Sequence, residues 1–553
     1  MLPLLLLLTP CAEPPVAADL VVHNGKVWTG DAHQPEAQAV AVWRDRIFKV
    51  GTDAEVKTLV GRDTKLIDLK GGRLVPGFYD SHVHFLSGGR SLSSVDLKDA
   101  KDEAEFGKRL GAFDQNTSRD RWIVGGLWDH DRTFGGALPT AATVDKFVKD
   151  RPVFIRRYDG HMGLANSAAL KLAGVTADTP DPPGGVIYRL ADGKTPSGVL
   201  KDNAIALVDR HIPEPTDEEI LEGVLAALKA AAALGVTSVQ DLDGNGPETR
   251  RKLFRTYQRL ARDGKLTCRI DLRWPIALYK DLSNTGAAAD FGSDFVRIGG
   301  VKGFMDGSLG SSTAKMFDPY TSDAKNTGVY VTPTKLMQSY VRGADADGLN
   351  VCVHAIGDQA NAVLLDIFAE VAKQNGARDR RFRIEHAQHV RPEDYKRFAE
   401  LGVIASMQPY HVIDDGRWAE GRIGAKRCAS SYAYRSLLDA GAKLAFGSDW
   451  PVAPLDPLPG IDAAVNRRPL DGGHPDGWFP EQRITVAEAV RAYTLGSAFA
   501  GFQEKDRGTI TVGKLADFVL LSRDIFAAAE KDRIADTKVT MTVVSGKVVF
   551  ERK

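Results

Sequence analysis

The sequence predicts an α/β fold: a TIM-type (β/α)8 barrel, a small β-sandwich built from both chain ends, and an insertion over the barrel mouth. Three observations lead there. Through the middle of the chain, short apolar runs alternate with amphipathic helical stretches, the pattern of parallel βα units. Both ends are instead rich in short strands and turns. Polar residues gather where the apolar runs stop, the face on which such barrels carry their sites.

Length and composition agree. With 553 residues, 43% hydrophobic, the chain has material for one barrel-sized unit and a smaller one. Its formal net charge of zero gives no electrostatic case for nucleic acid. Cys11, Cys268, Cys352 and Cys428 show no C-x-x-C spacing, so neither a disulfide framework nor a zinc ribbon is expected.

Taken in order, Leu2 to Leu8 is an apolar run of signal-peptide length, too short to span a bilayer. Val16-Ala17-Ala18 offers small residues for cleavage before Asp19, and Leu8-Thr9-Pro10-Cys11 approximates a lipobox, with Pro10 where a small residue belongs. Residues 1–18 are therefore read as a leader directing export to the periplasm or cell envelope. Lipid anchoring through Cys11 is the variant, and a cytoplasmic location follows if the leader is not functional. Residues 19–75 and 507–553 form the composite sandwich. Asn24-Gly25 between Leu20–His23 and Lys26–Thr29 predicts a hairpin, and Arg44-Asp45 predicts a second. Val539–Val544 and Val548–Phe550 flank Ser545-Gly546-Lys547 as a closing hairpin.

The barrel is assigned to 76–506, with inserted elements at about 87–216. Its strands begin with the stretch through Arg73-Leu74-Val75 to His84. The other candidates start at Val153, Ser238, Ile270, Phe295, Asn350, Phe382, Val403 and Leu444, and helix Glu218 to Leu234 typifies the connections.

Along Pro76-Gly77-Phe78-Tyr79-Asp80-Ser81-His82-Val83-His84, residues two apart share a face, so His82 and His84 project together and can hold a divalent cation. Alone the triplet is weak, since among 12 His in this length it arises by chance in roughly one chain in four. Lys302, His354, His386 and Asp449 then fall on successive strand ends, which strengthens it. Trp128 beside Asp129-His130-Asp131 is placed on a loop that lines the mouth, and Asp306 opens a Gly/Ser loop shaping the substrate cavity. His411, in Gln408-Pro409-Tyr410-His411, is taken to face the pocket without ligating.

These motifs resemble the amidohydrolase superfamily, specifically its amidohydrolase-3 branch of YtcJ-like and N-substituted formamide deformylase-like proteins. They include Asp159-Gly160-His161 with Asn166-Ser167, and Lys302-x-x-x-Asp306-Gly307-Ser308-Leu309-Gly310. Also matching are His354-Ala355-Ile356-Gly357-Asp358, Arg383-Ile384-Glu385-His386 and Gly447-Ser448-Asp449-Trp450-Pro451. The resemblance implies a metal-dependent hydrolase of C–N bonds other than peptide bonds. One or two divalent ions are implied, zinc first and manganese or iron after it. His82, His84 and Asp449 would hold one metal, His354 and His386 a second, and Lys302 would bridge them as a carbamate, because a free ammonium has no lone pair to offer.

A metal-activated hydroxide would attack, with Asp449 as general base and His161 as a second catalytic donor to the substrate; His161, Trp128 and Asp306 are the substrate-contact candidates. Ester, lactone or cyclic-amide hydrolysis is the alternative on the same site, and a non-catalytic exported binding protein the alternative from another class. The expected partner is a small molecule, with no nucleic acid, no transmembrane segment, and a homodimer allowed.

Overall fold

The computed structural model describes residues 17–553 apart from 120, 244 and 245. The leader expected at 1–18 falls almost wholly on residues 1–16, outside the described residues. No helix among the described residues is long and apolar enough to cross a membrane.

Eight parallel strands stand side by side in chain order: β1 (Phe78–Val83), β2 (Val236–Asp241), β3 (Arg269–Pro275), β4 (Val296–Phe304), β5 (Asn350–Ala355), β6 (Arg383–His386), β7 (Ile404–Met407) and β8 (Lys443–Phe446). β1, β2 and β5 are buried at every position, as strands must be when helices cover one face and barrel-filling side chains the other. The connecting helix Asp217–Ala233 shows the local logic. Thr216 and Glu219 form a capping box and three acids fill the first turn, favourable at the positive end of the helix dipole. Ile220, Val224, Ala227, Leu228 and Ala231 give it one buried face.

Between β8 and β1 the circle is nearly closed, and what joins the two strands belongs to the loop after β8. The Asp449 N–H donates to the His82 carbonyl at 2.7 Å. Asp80 Oδ1 accepts from the Ser448 N–H at 3.0 Å and from its own neighbour, the His82 N–H, at 3.0 Å. A Cβ on Gly447 would lie 2.5 Å from the His82 nitrogen, so only glycine allows this approach.

Two sheets at the chain ends face each other. One has the order Arg46–Gly51, Ala39–Trp43, Leu20–His23, Lys65–Asp68. The other runs Lys547–Glu551, Val539–Val544, Phe518–Leu521, Arg73–Pro76, Lys26–Trp28, Glu36–Ala37. Leu20, Val22, Val40 and Val42 from the first and Val27, Leu74, Phe518 and Val543 from the second share one core. The hairpins at Arg44-Asp45 and Ser545-Gly546 are present. The one expected at Asn24-Gly25 is not: Leu20–His23 pairs with Ala39–Trp43 and Lys65–Asp68, whereas Lys26–Trp28 pairs in the opposite sheet. Asn24, at φ 57°, turns the chain from one layer to the other instead of folding it back on itself.

The insertion carries its own six-stranded sheet, ordered Gly185–Arg189, Pro196–Asp202, Met162–Ala165, Val153–Arg157, Ile123–Trp128, Val95–Asp96. The run at Val153, counted with the barrel strands from its apolar pattern, belongs here. It pairs parallel with Ile123–Trp128 and antiparallel with Met162–Ala165, in a sheet separate from the barrel's, so it is not one of the barrel strands.

Candidate metal centre

The strand ends bring His82, His84, Lys302, His354, His386 and Asp449 together. All but His84 are buried, and His84 is largely covered. Ring centroids lie 5.7 Å apart for His82–His84, 4.8 Å for His82–His386 and 4.5 Å for His354–His386.

Three of these imidazoles are pinned by an acceptor, which fixes the nitrogen left bare. His82 Nδ1 lies 2.7 Å from Glu385 Oε2; a carboxylate only accepts, so Nδ1 carries the proton and Nε2 presents its lone pair. Glu385 is in turn clamped by the Arg383 guanidinium (Nε to Oε1, 2.8 Å). His386 Nδ1 lies 2.7 Å from Gln408 Oε1, leaving Nε2 bare. His354 is reversed: its Nε2 donates to the Gly307 carbonyl at 3.0 Å, so Nδ1 is the free ligand atom. Such outer partners orient metal-binding histidines and set their tautomers.

Asp449 supplies the test of whether a cation fits. Its Oδ1 lies 3.1 Å from His84 Nε2 and 3.3 Å from His82 Nε2, yet it is a buried oxygen with no hydrogen-bond partner. Because His82 holds its proton on Nδ1, that contact sets two lone pairs against each other, an arrangement a divalent cation resolves. His82, His84 and Asp449 lie within mutual ligating reach, and so do His386, His411 and Asp449. Protonation states agree at three of these residues, while at His84 burial works to lower the pKa and the Asp449 carboxylate raises it. Burial, with the His161 and Lys302 charges, holds His354 well below the usual imidazole range; burial, with His354 and His82, does the same for His386. Burial would raise the Asp449 carboxyl, but the surrounding imidazoles hold it well below its usual value. Neutral imidazoles and an ionised carboxylate are the ligating forms.

Lys302 projects from β4 with its ammonium 4.5 Å from the centre of the Phe304 ring, and burial pushes its pKa down. Among the described residues it forms no ion pair with Asp306 or Asp449, and the largest opposite charge acting on it is that of Glu385.

His161, from the insertion, reaches the same cluster. Its ring centroid is 5.0 Å from that of His354, and its Nδ1 lies 2.7 Å from Asp202 Oδ1. The preceding Asp159 is fastened to the barrel by Ser308 (2.6 Å) and Ser311 (3.2 Å), so the loop beyond Lys302 holds the insertion in place.

Two expected contacts are placed elsewhere. Trp128 lies in the insertion's core with its indole N–H on the Ile155 carbonyl at 3.0 Å, and it does not line the mouth. Asp306 is fully enclosed and occupied by the N–H groups of Ile356, Lys315 and Gly357 at 2.8–3.0 Å. Burial raises its carboxyl to about 7, and it clips two loops together behind His354. Glu385, Gln408 and Asp202 went unassigned in the sequence. Glu385 carried a signal: Arg383 and Glu385 sit two apart on one short strand, so they share a face and can pair inside the barrel.

Against this geometry the comparisons are direct. The amidohydrolase family's sequence profile matches residues 65–550. The chain belongs to the amidohydrolase family. Within that family's amidohydrolase-3 branch, it is 40% identical to Protein LONG AFTER FAR-RED 3 of Arabidopsis thaliana over 98% of this chain and 93% of that protein. It is 27% identical to the N-substituted formamide deformylase of Arthrobacter pascens over 97% and 98% of the two chains. A crystal structure of an uncharacterized metal-dependent hydrolase from Pyrococcus horikoshii superposes with a TM-score of 0.74 at 30% identity, covering 92% of this chain and 99% of that one. This amidohydrolase is thus a metal-dependent hydrolase built on the family's barrel.

Proposed function

We propose that this amidohydrolase cleaves a C–N bond, other than a peptide bond, in an amide-like small molecule such as an N-formyl or N-acyl amine. Likeness to the formamide deformylase along nearly the whole chain supports the bond class. The observation that carries the mechanism is Asp449: a buried, ionised carboxylate whose Oδ1 has no proton donor and faces the imidazoles of His82 and His84.

In this reading His82, His84 and Asp449 would hold one metal, and His354 through Nδ1 and His386 through Nε2 would hold a second. Lys302 would join the ligand set as a carbamate; its lowered pKa favours the neutral amine that adds to carbon dioxide. A bound zinc would supply Lewis acidity, lowering the pKa of water from about 15.7 to about 7 and polarising the substrate carbonyl. Asp449 accepts the proton of the attacking water and returns it to the departing amine. His161 meets the substrate carbonyl with Nε2. Burial works against its charge, but Asp202 and Asp159 raise its pKa, favouring the imidazolium that can donate from Nε2 while Nδ1 donates to Asp202.

Two variants test this. Asp449→Asn lowers kcat by about 10²–10⁴-fold on an N-formyl amine, the range for loss of a general acid–base group. Unimpaired turnover would remove the assignment. Lys302→Ala lowers the metal content of zinc-loaded enzyme from two equivalents toward one, read by elemental analysis; an unchanged content returns Lys302 to a structural role. Turnover of ester or lactone probes with none of the amides would move the reading to that bond class.

A further inference from the structure

The two oxygens of Asp449 face different partners. Oδ1 meets His82 and His84 at 3.3 and 3.1 Å, while Oδ2 turns to His411, whose Nε2 lies 4.0 Å away. That distance is too long for a hydrogen bond, yet it is within the span of two metal–ligand bonds of about 2.0–2.2 Å each. His411 Nε2 is a buried atom with no hydrogen-bond partner. Buried polar atoms are nearly always satisfied in folded proteins, so one left bare beside a carboxylate calls for an occupant.

Local structure aims this nitrogen. His411 lies in the first turn of the helix Tyr410–Asp415, just past β7, and its backbone N–H donates to the Gln408 carbonyl at 3.1 Å. The side chain of the same Gln408 engages His386 Nδ1 and leaves His386 Nε2 bare. One residue thus places both imidazoles, whose rings lie 15° from parallel with centroids 6.2 Å apart. The ligating atoms of His386, His411 and Asp449 lie within 4.8 Å of one another. Among the described residues no arginine or lysine bonds to His411 or to the Asp449 carboxylate, so lone pairs and a negative charge gather here without a cation to answer them.

We infer that His411 Nε2 is a metal ligand: His386, His411 and Asp449 Oδ2 hold a divalent cation, and Asp449 joins it to the ion at His82 and His84, one through each oxygen. Two imidazoles and a carboxylate with a further position open form a donor set that zinc accepts in hydrolases. Each carboxylate oxygen keeps a second lone pair, so the bridge does not bar Asp449 from taking up a proton. The inference rests on the reading of His386 as a ligand given above and adds to it a residue outside the sequence motifs. It is independent of any carbamate on Lys302.

Zinc affinity of the metal-free full chain is measured by chelator competition for the wild type, His411→Gly, His411→Phe and His82→Ala. Two binding events are expected in the wild type. Both His411 variants weaken one of them by more than the about 10–100-fold that loss of an outer partner gives, and leave the other unchanged; His82→Ala does the reverse. Imidazole at millimolar concentration restores the lost event in His411→Gly, whereas pyrrole, a ring of the same shape with no lone pair to offer, does not. Unchanged affinity in both His411 variants, equal weakening of both events, or restoration by pyrrole as well as imidazole overturns the inference. A wild type that binds a single ion, with an affinity that falls in both His411 variants, would instead sink the two-ion reading and leave His411 as a ligand.

Discussion

The barrel mouth and the insertion each gather histidine and aspartate into a compact trio: His82, His84 and Asp449 in the first, Asp129, His130 and Asp131 in the second. Both draw on the same two residue types, two His and one Asp in the first and two Asp and one His in the second. In the insertion, however, the position a metal would take is answered by arginine. Arg157 donates from Nε to His130 Nδ1 at 3.1 Å and from Nη2 to Asp131 at 3.2 Å, and Arg422 reaches Asp131 from the barrel side. In the barrel the arginine stands one layer back: Arg383 holds Glu385, Glu385 holds His82, and the His82 lone pair is left facing Asp449. A difference that separates a structural ion cluster from a candidate metal centre here is where the guanidinium sits.

Three experiments press on that contrast. The largest effect is expected from Arg157→Met, which leaves Asp129, Asp131 and Asp159 facing one another without their fully buried cation. Loss of about 3–5 kcal/mol in urea denaturation is expected, the range for breaking a buried ion pair. A change below about 1 kcal/mol would show that the insertion's trio does not depend on its arginine. Next, Gln408→Ala removes the acceptor that orients His386. Affinity for the metal proposed at His354 and His386, followed by chelator competition, should weaken about 10–100-fold, as outer-partner mutations typically do. Unchanged affinity would mean that the pinning is incidental.

The smallest effect concerns pH. Burial, with the Arg157 charge, pushes His130 down to about 4. Its ordinary value is higher, about 6.5, so as pH falls the unfolded chain takes up the proton first. This contribution to stability is whole above about pH 7 and drains away between about 6.5 and 4, costing about 2 kcal/mol from pH 7 to pH 5. Denaturation of His130→Gln at the two pH values should show a difference smaller by that amount. An identical difference would mean that His130 does not titrate with unfolding.

Much of the barrel was legible because its signal is local. An apolar run ending in a polar residue reads the same from sequence as in space, and His82, His84, Lys302, His354, His386 and Asp449 all announce themselves that way. The same locality misled at Val153, whose apolar run is indistinguishable from a barrel strand until its antiparallel neighbour is known. It misled again at Asn24-Gly25, where a turn motif joins layers rather than partners. The pins were illegible for another reason. Glu385 lies 303 residues from His82 and Asp202 lies 41 from His161, so neither pairing leaves a spacing to read. His411 reads from the sequence as facing the pocket without ligating, and only the structure sets its buried Nε2 4.0 Å from Asp449 Oδ2, within ligating reach of it and His386.

The sandwich sheet that joins both chain ends has a consequence for the order in which the protein is made. Strand Arg73–Pro76 leads straight into β1 and its H-x-H pair, and it is braced by Lys26–Trp28 on one side and by Phe518–Leu521 on the other. A ribosome adding about 5–20 residues per second delivers the second brace tens of seconds after His82 and His84 have left the exit tunnel. Through that interval Asp449 and the closure of β8 onto β1 are also missing for most of the time, so the first two ligands wait, exposed, on an unsealed sheet. A metal held by His82, His84 and Asp449 together would have to wait until residue 449 has been made, and a chain truncated before residue 518 would lack the strand that braces Arg73–Pro76.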